Sequence, residues 1–203
     1  MDLHSPALVP LLALAALLAI VAMVALRRGK GGAGRRWALL RDPPEEDVVT
    51  LLRRGAFVSE LHATTPGDAI AELVRALGSL LAGRKRTARD AVLERELLDS
   101  TGVGDEVAIP HAALQGLARP LLALGRAPQG IDFSAHDGRA ARLVFLLLIP
   151  PGDNSEEVRI LASIARATID PRARDEIVAA AGLDEVTRVL ARSAQKTRES
   201  MRP

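Results

Sequence analysis

Residues 6–26 read PALVPLLALAALLAIVAMVAL without one charged side chain. As a helix, about 21 residues rise about 31 Å, the thickness of a bilayer's hydrocarbon core. This run predicts a single N-terminal membrane span. Pro10 falls near its start, where a missing amide N–H costs little. A cleaved secretory signal is the competing reading, but that needs basic residues ahead of a shorter apolar core and a small-residue cleavage site after it. Here the basic residues Arg27, Arg28, Lys30, Arg35 and Arg36 all follow the span and none precedes it. The positive-inside bias therefore predicts an N-terminus outside, everything after the span in the cytoplasm, and the inner membrane of a bacterium as the location. Lys occurs only at Lys30, Lys85 and Lys196 while Arg, Ala, Leu and Gly are abundant, a usage read as that of a GC-rich bacterial gene.

The basic stretch also accounts for a sequence pI of about 9.6. The whole chain carries +2, of which residues 1–36 hold five basic charges and one acidic one, leaving the remainder at −2. A mildly acidic domain whose rings are limited to Trp37, Phe57, Phe133 and Phe145 lacks both the charge and the stacking platforms of a nucleic-acid binder. With no Cys there is neither a disulfide framework nor a thiolate metal site, and no Asp/Glu/His cluster has metal-ligand spacing. No metal or other cofactor is expected, and the bilayer is the one non-protein partner. The chain divides into a tail and span (1–26), a basic Gly-rich linker (27–46), a folded domain (47–193) and a polar C-terminal tail (194–203). The linker RRGKGGAGRR has the composition of a flexible tether, and its basic charges also suit anionic headgroups.

Within the domain, Glu45–Arg54 is predicted as a short amphipathic helix and Ala56–Leu61 as a strand. Thr65 as cap, Pro66 at the first helical position and Asp68 at capping-box spacing open a helix whose apolar residues Ile70, Leu73, Val74, Leu77, Leu80 and Leu81 share one face. A second helix is predicted from Thr87 to about Leu98, followed by the loop DSTGVGDE. Strands are predicted at Val107–Ile109, Pro120–Gly125 and Arg142–Ile149, the last with a run, LVFLLLI, that is apolar on both faces. Helices follow at Ser155–Thr168, Pro171–Ala181 (Asp170 as cap, Gly182 past the end) and Asp184 to about Ser193. The fold class is α/β, a central mixed sheet flanked by helices and preceded by one transmembrane helix.

His62 and His136 lie in polar turn-like stretches, the usual setting of a solvated loop side chain. His111 differs: it follows Ile109–Pro110 at the end of a predicted strand, where the proline restricts the preceding backbone and holds the imidazole in place. On these residues alone, a structurally satisfied histidine and a reactive one are both open.

The strings RELLDSTGVGDEVAIPHA, GIDFSAHDGRAARLVFLLLIP and EEVRILASIAR closely resemble the fructose/mannitol class of enzyme IIA domains (EIIA type 2) of the bacterial phosphoenolpyruvate-dependent phosphotransferase system (PTS), over about Val48–Leu190. The resemblance implies that His111 accepts a phosphoryl group from the histidine-containing phosphocarrier protein and passes it to a IIB domain, in the service of sugar transport. It implies that Arg95 assists at the phosphorylation site. The residue types suit this chemistry: holding one imidazole N–H on an acceptor presents the other nitrogen to phosphorus, and transfer then needs mainly positioning and charge stabilisation. Ser100, Thr101 and the amides around Gly102 and Gly104 are candidate phosphate donors, with a plain turn as the alternative.

One position departs from the family. Where a second histidine usually precedes the helix VRILASIAR, this chain has Glu157, or Glu156 if the register is shifted by one, and neither is a histidine. A carboxylate about 5 Å from a phosphoryl group opposes it by about 3 kcal/mol per unit charge at an effective dielectric near 20. The effect is avoided by a protonated glutamate, by one turned to solvent, or by one that pins the His111 N–H. Acidic residues are also simply favoured in a helix first turn. Two functions follow: a membrane-tethered phosphocarrier serving a IIB domain, membrane permease or regulatory target, or a non-phosphorylated or weakly phosphorylated regulatory binding module that controls a membrane partner.

Overall fold

A computed structural model describes residues 47–98, 100–152 and 154–200. The predicted membrane helix and basic linker lie outside the described residues; among those described, no helix is long and apolar enough to cross a membrane.

The chain folds as a mixed sheet between two layers of helices. Helix α1 (Val48–Arg54) is capped by Asp47, whose carboxylate accepts the Thr50 N–H at 2.9 Å. Strand β1 (Ala56–Val58) follows. Helix α2 (Pro66–Leu77) begins as the sequence signals, with Thr65 as cap and Pro66 in its first turn. It stops short of Leu81 because Gly78 turns to φ +52°, and Gly78–Leu81 continue as a 3-10 turn. Helix α3 (Lys85–Leu98) starts two residues before the predicted cap, Thr87.

The segment read as a loop contains a short strand, β2 (Gly102–Gly104), which turns back antiparallel onto β3 (Val107–Ala108). Beyond Pro110 lies β4 (His111–Ala113), so His111 opens a strand instead of closing one. Strands β5 (Leu121–Ile131) and β6 (Ala141–Ile149) form the antiparallel centre. The order is β1-β5-β6-β3-β2, and β4 joins β6 beyond β3. Both β3 and β4 run parallel to β6, which accounts for the mixed character.

The apolar run in β6 obeys the two-residue period of a strand covered on both faces. Leu143, Phe145, Leu147 and Ile149 enter one core with α1 and the C-terminal helices α4 (Asn154–Thr168), α5 (Pro171–Ala179) and α6 (Leu183–Ser200). Val144, Leu146 and Leu148 enter the other core with α2 and α3. Helix α5 ends at Ala179, before the predicted stop at Gly182, and the Arg126 guanidinium caps it by donating to the Val178 and Ala180 carbonyls at 3.0 and 2.5 Å. Residues 194–200, predicted as a tail, continue α6: Ala194 is buried, and the Thr197 hydroxyl donates to the Arg166 carbonyl of α4 at 3.1 Å.

Candidate functional site

Between β3 and β4 the chain runs along β6 through Ile109 and Pro110. Proline has no N–H to give, but its carbonyl accepts the Leu147 N–H at 2.9 Å, so the ladder is bridged. The Ile109 N–H turns the other way, to the Thr101 carbonyl at 3.0 Å. Its carbonyl lies 2.8 Å from His111 Nδ1. A carbonyl can only accept, so Nδ1 carries a proton and Nε2 is left with the lone pair.

The His111 side chain is 11% exposed. Burial, the largest influence, pushes the His111 pKa below its ordinary 6.5; the Ile109 hydrogen bond and the Glu157 carboxylate pull upward, Arg95 adds to the lowering, and Glu96 opposes it. At neutral pH this is a neutral imidazole held as its Nδ1–H tautomer, the form in which Nε2 is nucleophilic.

His111 lines a cavity of about 270 Å³ between α3 and the start of α4. Arg95, Glu94 and Leu98 of α3 form one wall, Ala112 and Ala113 the floor, and Pro150, Gly152 and Glu157 the other wall. Arg95 is thus brought to the same cavity as His111.

Glu157 sits in the first turn of α4 and is 5% exposed, with Oε1 3.5 Å from His111 Nε2. A side chain turned to solvent is therefore ruled out. Of the other two ways out, pinning of the imidazole N–H by glutamate is not what the structure shows, because the ring donates Nδ1–H to the Ile109 carbonyl. Glu157 instead faces the lone-pair nitrogen, a contact that becomes attractive only when a proton lies between the two atoms.

The loop residues are placed differently from the sequence expectation. Ser100, Thr101, Gly102 and Gly104 do not line the cavity. The Ser100 hydroxyl donates to the Phe133 carbonyl and accepts the Gly102 N–H. Both the amide and hydroxyl of Thr101 donate to the Glu96 carboxylate. Gly104, at φ +89°, leaves room for the 132–137 loop, since a Cβ there would come within 2.8 Å of His136 Cε1. The glycines serve this close approach, which explains their presence without a phosphate. Among the described residues no group of three or more His, Asp or Glu is arranged to hold a metal ion.

Sequence reasoning passed over Glu96. It stands in the last turn of α3, where the helix dipole disfavours a carboxylate; that misplacement was the available signal.

The family model described as phosphoenolpyruvate-dependent sugar phosphotransferase system, EIIA 2, matches residues 50–193. The chain is 36% identical over 104 residues to the PTS system fructose-specific EIIA component of Haloferax volcanii, covering 51% of this chain and 68% of that protein. It is 32% identical over 144 residues to a nitrogen regulatory protein of Bradyrhizobium diazoefficiens, covering 71% and 94%. Among solved structures, it superposes on nitrogen regulatory protein IIA-Ntr from Neisseria meningitidis with a TM-score of 0.65 at 24% identity, over 70% of this chain and 98% of that one. On the Escherichia coli complex of enzyme IIA-mannitol with phosphorylated enzyme IIB-mannitol, the TM-score is 0.56 at 23% identity, over 67% and 94%. These structural likenesses bear on the fold: the mixed sheet with flanking helices is that of IIA domains.

Proposed function

The chain belongs to the EIIA 2 family of the phosphoenolpyruvate-dependent sugar phosphotransferase system, and from that premise we propose that it is a phosphocarrier whose acceptor atom is His111 Nε2. One observation carries the reading: the Ile109 carbonyl holds Nδ1–H at 2.8 Å and leaves Nε2 unprotonated in a neutral ring on the cavity wall. In the transfer, the P–N bond of a phosphohistidine on the phosphocarrier protein breaks as a P–Nε2 bond forms. The donor imidazole leaves with the electron pair, and no proton has to leave His111 because Nδ1–H stays on its carbonyl. Arg95 supplies positive charge beside the transferred group. The phosphoryl group then goes to a IIB domain, permease or regulatory target. The apolar run at 6–26 and the basic charges after it support tethering at the inner membrane with the domain in the cytoplasm.

The second reading, a regulatory module with little phosphotransfer, is favoured by the Glu157 carboxylate 3.5 Å from the acceptor nitrogen. Its likeness to nitrogen regulatory proteins is consistent with that use of the fold. Incubation with phosphoenolpyruvate, enzyme I and the phosphocarrier decides between them. The phosphocarrier reading expects acid-labile, alkali-stable label on the wild type and none on His111→Ala; an unlabelled wild type leaves the regulatory module. A reporter fused after Pro203 is expected to be active in the cytoplasm, and periplasmic activity would reverse the proposed topology.

A further inference from the structure

The carbonyl that meets the imidazole is joined to another element by a relay of hydrogen bonds. The Glu96 carboxylate receives two hydrogen bonds from one residue, the Thr101 N–H at 3.1 Å and the Thr101 hydroxyl. The Thr101 carbonyl receives the Ile109 N–H at 3.0 Å, and the Ile109 carbonyl receives His111 Nδ1–H at 2.8 Å. The N–H and C=O of one residue lie in different peptide groups, so the links act by position: Glu96 holds the Thr101 backbone, the Thr101 carbonyl holds the Ile109 backbone, and the Ile109 carbonyl is thereby aimed at Nδ1. Thr101 is 5% exposed and His111 9%, so water competes weakly along this path.

We propose that Glu96 is a positioning residue for the acceptor histidine, fixing His111 as its Nδ1–H tautomer through Thr101 and Ile109. Its unfavourable place at the end of α3 then has a reason: a carboxylate there gives up dipole stabilisation and gains a two-point hold on the loop. The charge also favours a proton on His111, in opposition to burial and Arg95. Second-layer carboxylates that orient a ligating imidazole act by the same principle in metal sites.

That the relay serves transfer rests on the phosphocarrier reading; that it sets the tautomer does not. The test therefore has two arms on the same proteins, wild type, Glu96→Ala, Glu96→Gln and Thr101→Val. The first arm reads the His111 tautomer from its ring nitrogen shifts by NMR at pH 7.5, without any phosphoryl donor. Glu96→Ala is expected to lower the Nδ1–H to Nε2–H ratio about fivefold, the worth of one ordinary hydrogen bond. Glu96→Gln, which keeps an acceptor, is expected to retain most of it. The second arm reads the rate of phosphoryl uptake, expected to fall about tenfold in Glu96→Ala, the low end of second-layer effects. A folded Glu96→Ala domain with an unshifted tautomer overturns the proposal, since a capping role alone lowers stability without moving the ring proton. Should Glu96→Ala fail to fold, Thr101→Val, which removes only the hydroxyl link, decides by the same tautomer reading. If the wild type takes up no phosphoryl group, the phosphocarrier reading fails while the first arm still judges Glu96.

Discussion

Replacing Glu157 by Gln keeps the side chain's shape and removes its charge beside the acceptor nitrogen. Oε1 lies 3.5 Å from Nε2, and the side chain is 6% exposed, so solvent screens it little. A phosphoryl group bonded to Nε2 places its charge about 4–5 Å from the carboxylate, which at an effective dielectric near 20 opposes each unit of phosphoryl charge by about 3–4 kcal/mol. At about 1.4 kcal/mol per decade, Glu157→Gln is expected to raise the equilibrium constant for phosphorylation at least about a hundredfold. Arg95 is present in both proteins and drops out of the difference. The measurement is the distribution of phosphoryl group between the phosphocarrier protein and the domain at equilibrium, read by intact-protein mass spectrometry at neutral pH, with His111→Ala as the blank. Glu157→His, which restores the family's usual residue, is expected to shift the distribution in the same direction. A Glu157→Gln domain within threefold of wild type would falsify the argument, because the carboxylate would then not face the transferred group.

Three further outcomes follow from the same structure. Because burial holds the folded His111 pKa below 6.5, the unfolded chain takes up a proton first as pH falls. That contribution to stability is full above about pH 6.5 and declines below it, by up to about 1.4 kcal/mol per pH unit, a slope urea unfolding should show in wild type and lose in His111→Gln. Arg126 is 8% exposed, donates to the Ser59, Ile177, Val178 and Ala180 carbonyls and lies over Phe57 with 5.2 Å to the ring centroid. Arg126→Ala is expected to cost about 3 kcal/mol, seen as a lower urea midpoint with an unchanged slope. A Cβ on Gly55 would stand 1.7 Å from the Leu122 carbonyl oxygen, so Gly55→Ala is expected to lose about 3 kcal/mol or more by the same assay.

The central sheet was legible wherever one local rule governed. LVFLLLI alternates between two cores as a strand buried on both faces must, and Thr65–Pro66 opened a helix where its chemistry requires. Misreadings occurred where distant partners decided. Gly102–Gly104 has the composition of a turn, and becomes a strand only because β3 lies beside it and the 132–137 loop needs the space. Strand β5 continues through Pro128 to Ile131, beyond its predicted end at Gly125, because pairing with β6 shifts between Arg126 and Ile131, the irregularity at which a proline is tolerated. The polar end of α6 reads as a tail until Thr197 finds the Arg166 carbonyl on α4.

The site divides along the same line. A Pro before His111 announces a constrained imidazole, but which nitrogen is free depends on the Ile109 carbonyl two residues back, a matter of local backbone direction that composition does not encode. Glu157 looks like an ordinary first-turn acid, and its burial against Nε2 follows from β6 delivering α4 to the edge that carries β4. The Ser-Thr-Gly loop misled in the opposite sense: its donors look made for phosphate, yet Ser100 is engaged with Phe133 and Thr101 with Glu96. The loop thus acts on His111 from behind, through the Thr101 carbonyl and Ile109, while Arg95 and Glu157 set opposing charges on the face that a phosphoryl group would meet. The balance between those two charges, more than the nucleophilicity of Nε2, separates a working carrier from a domain that only docks.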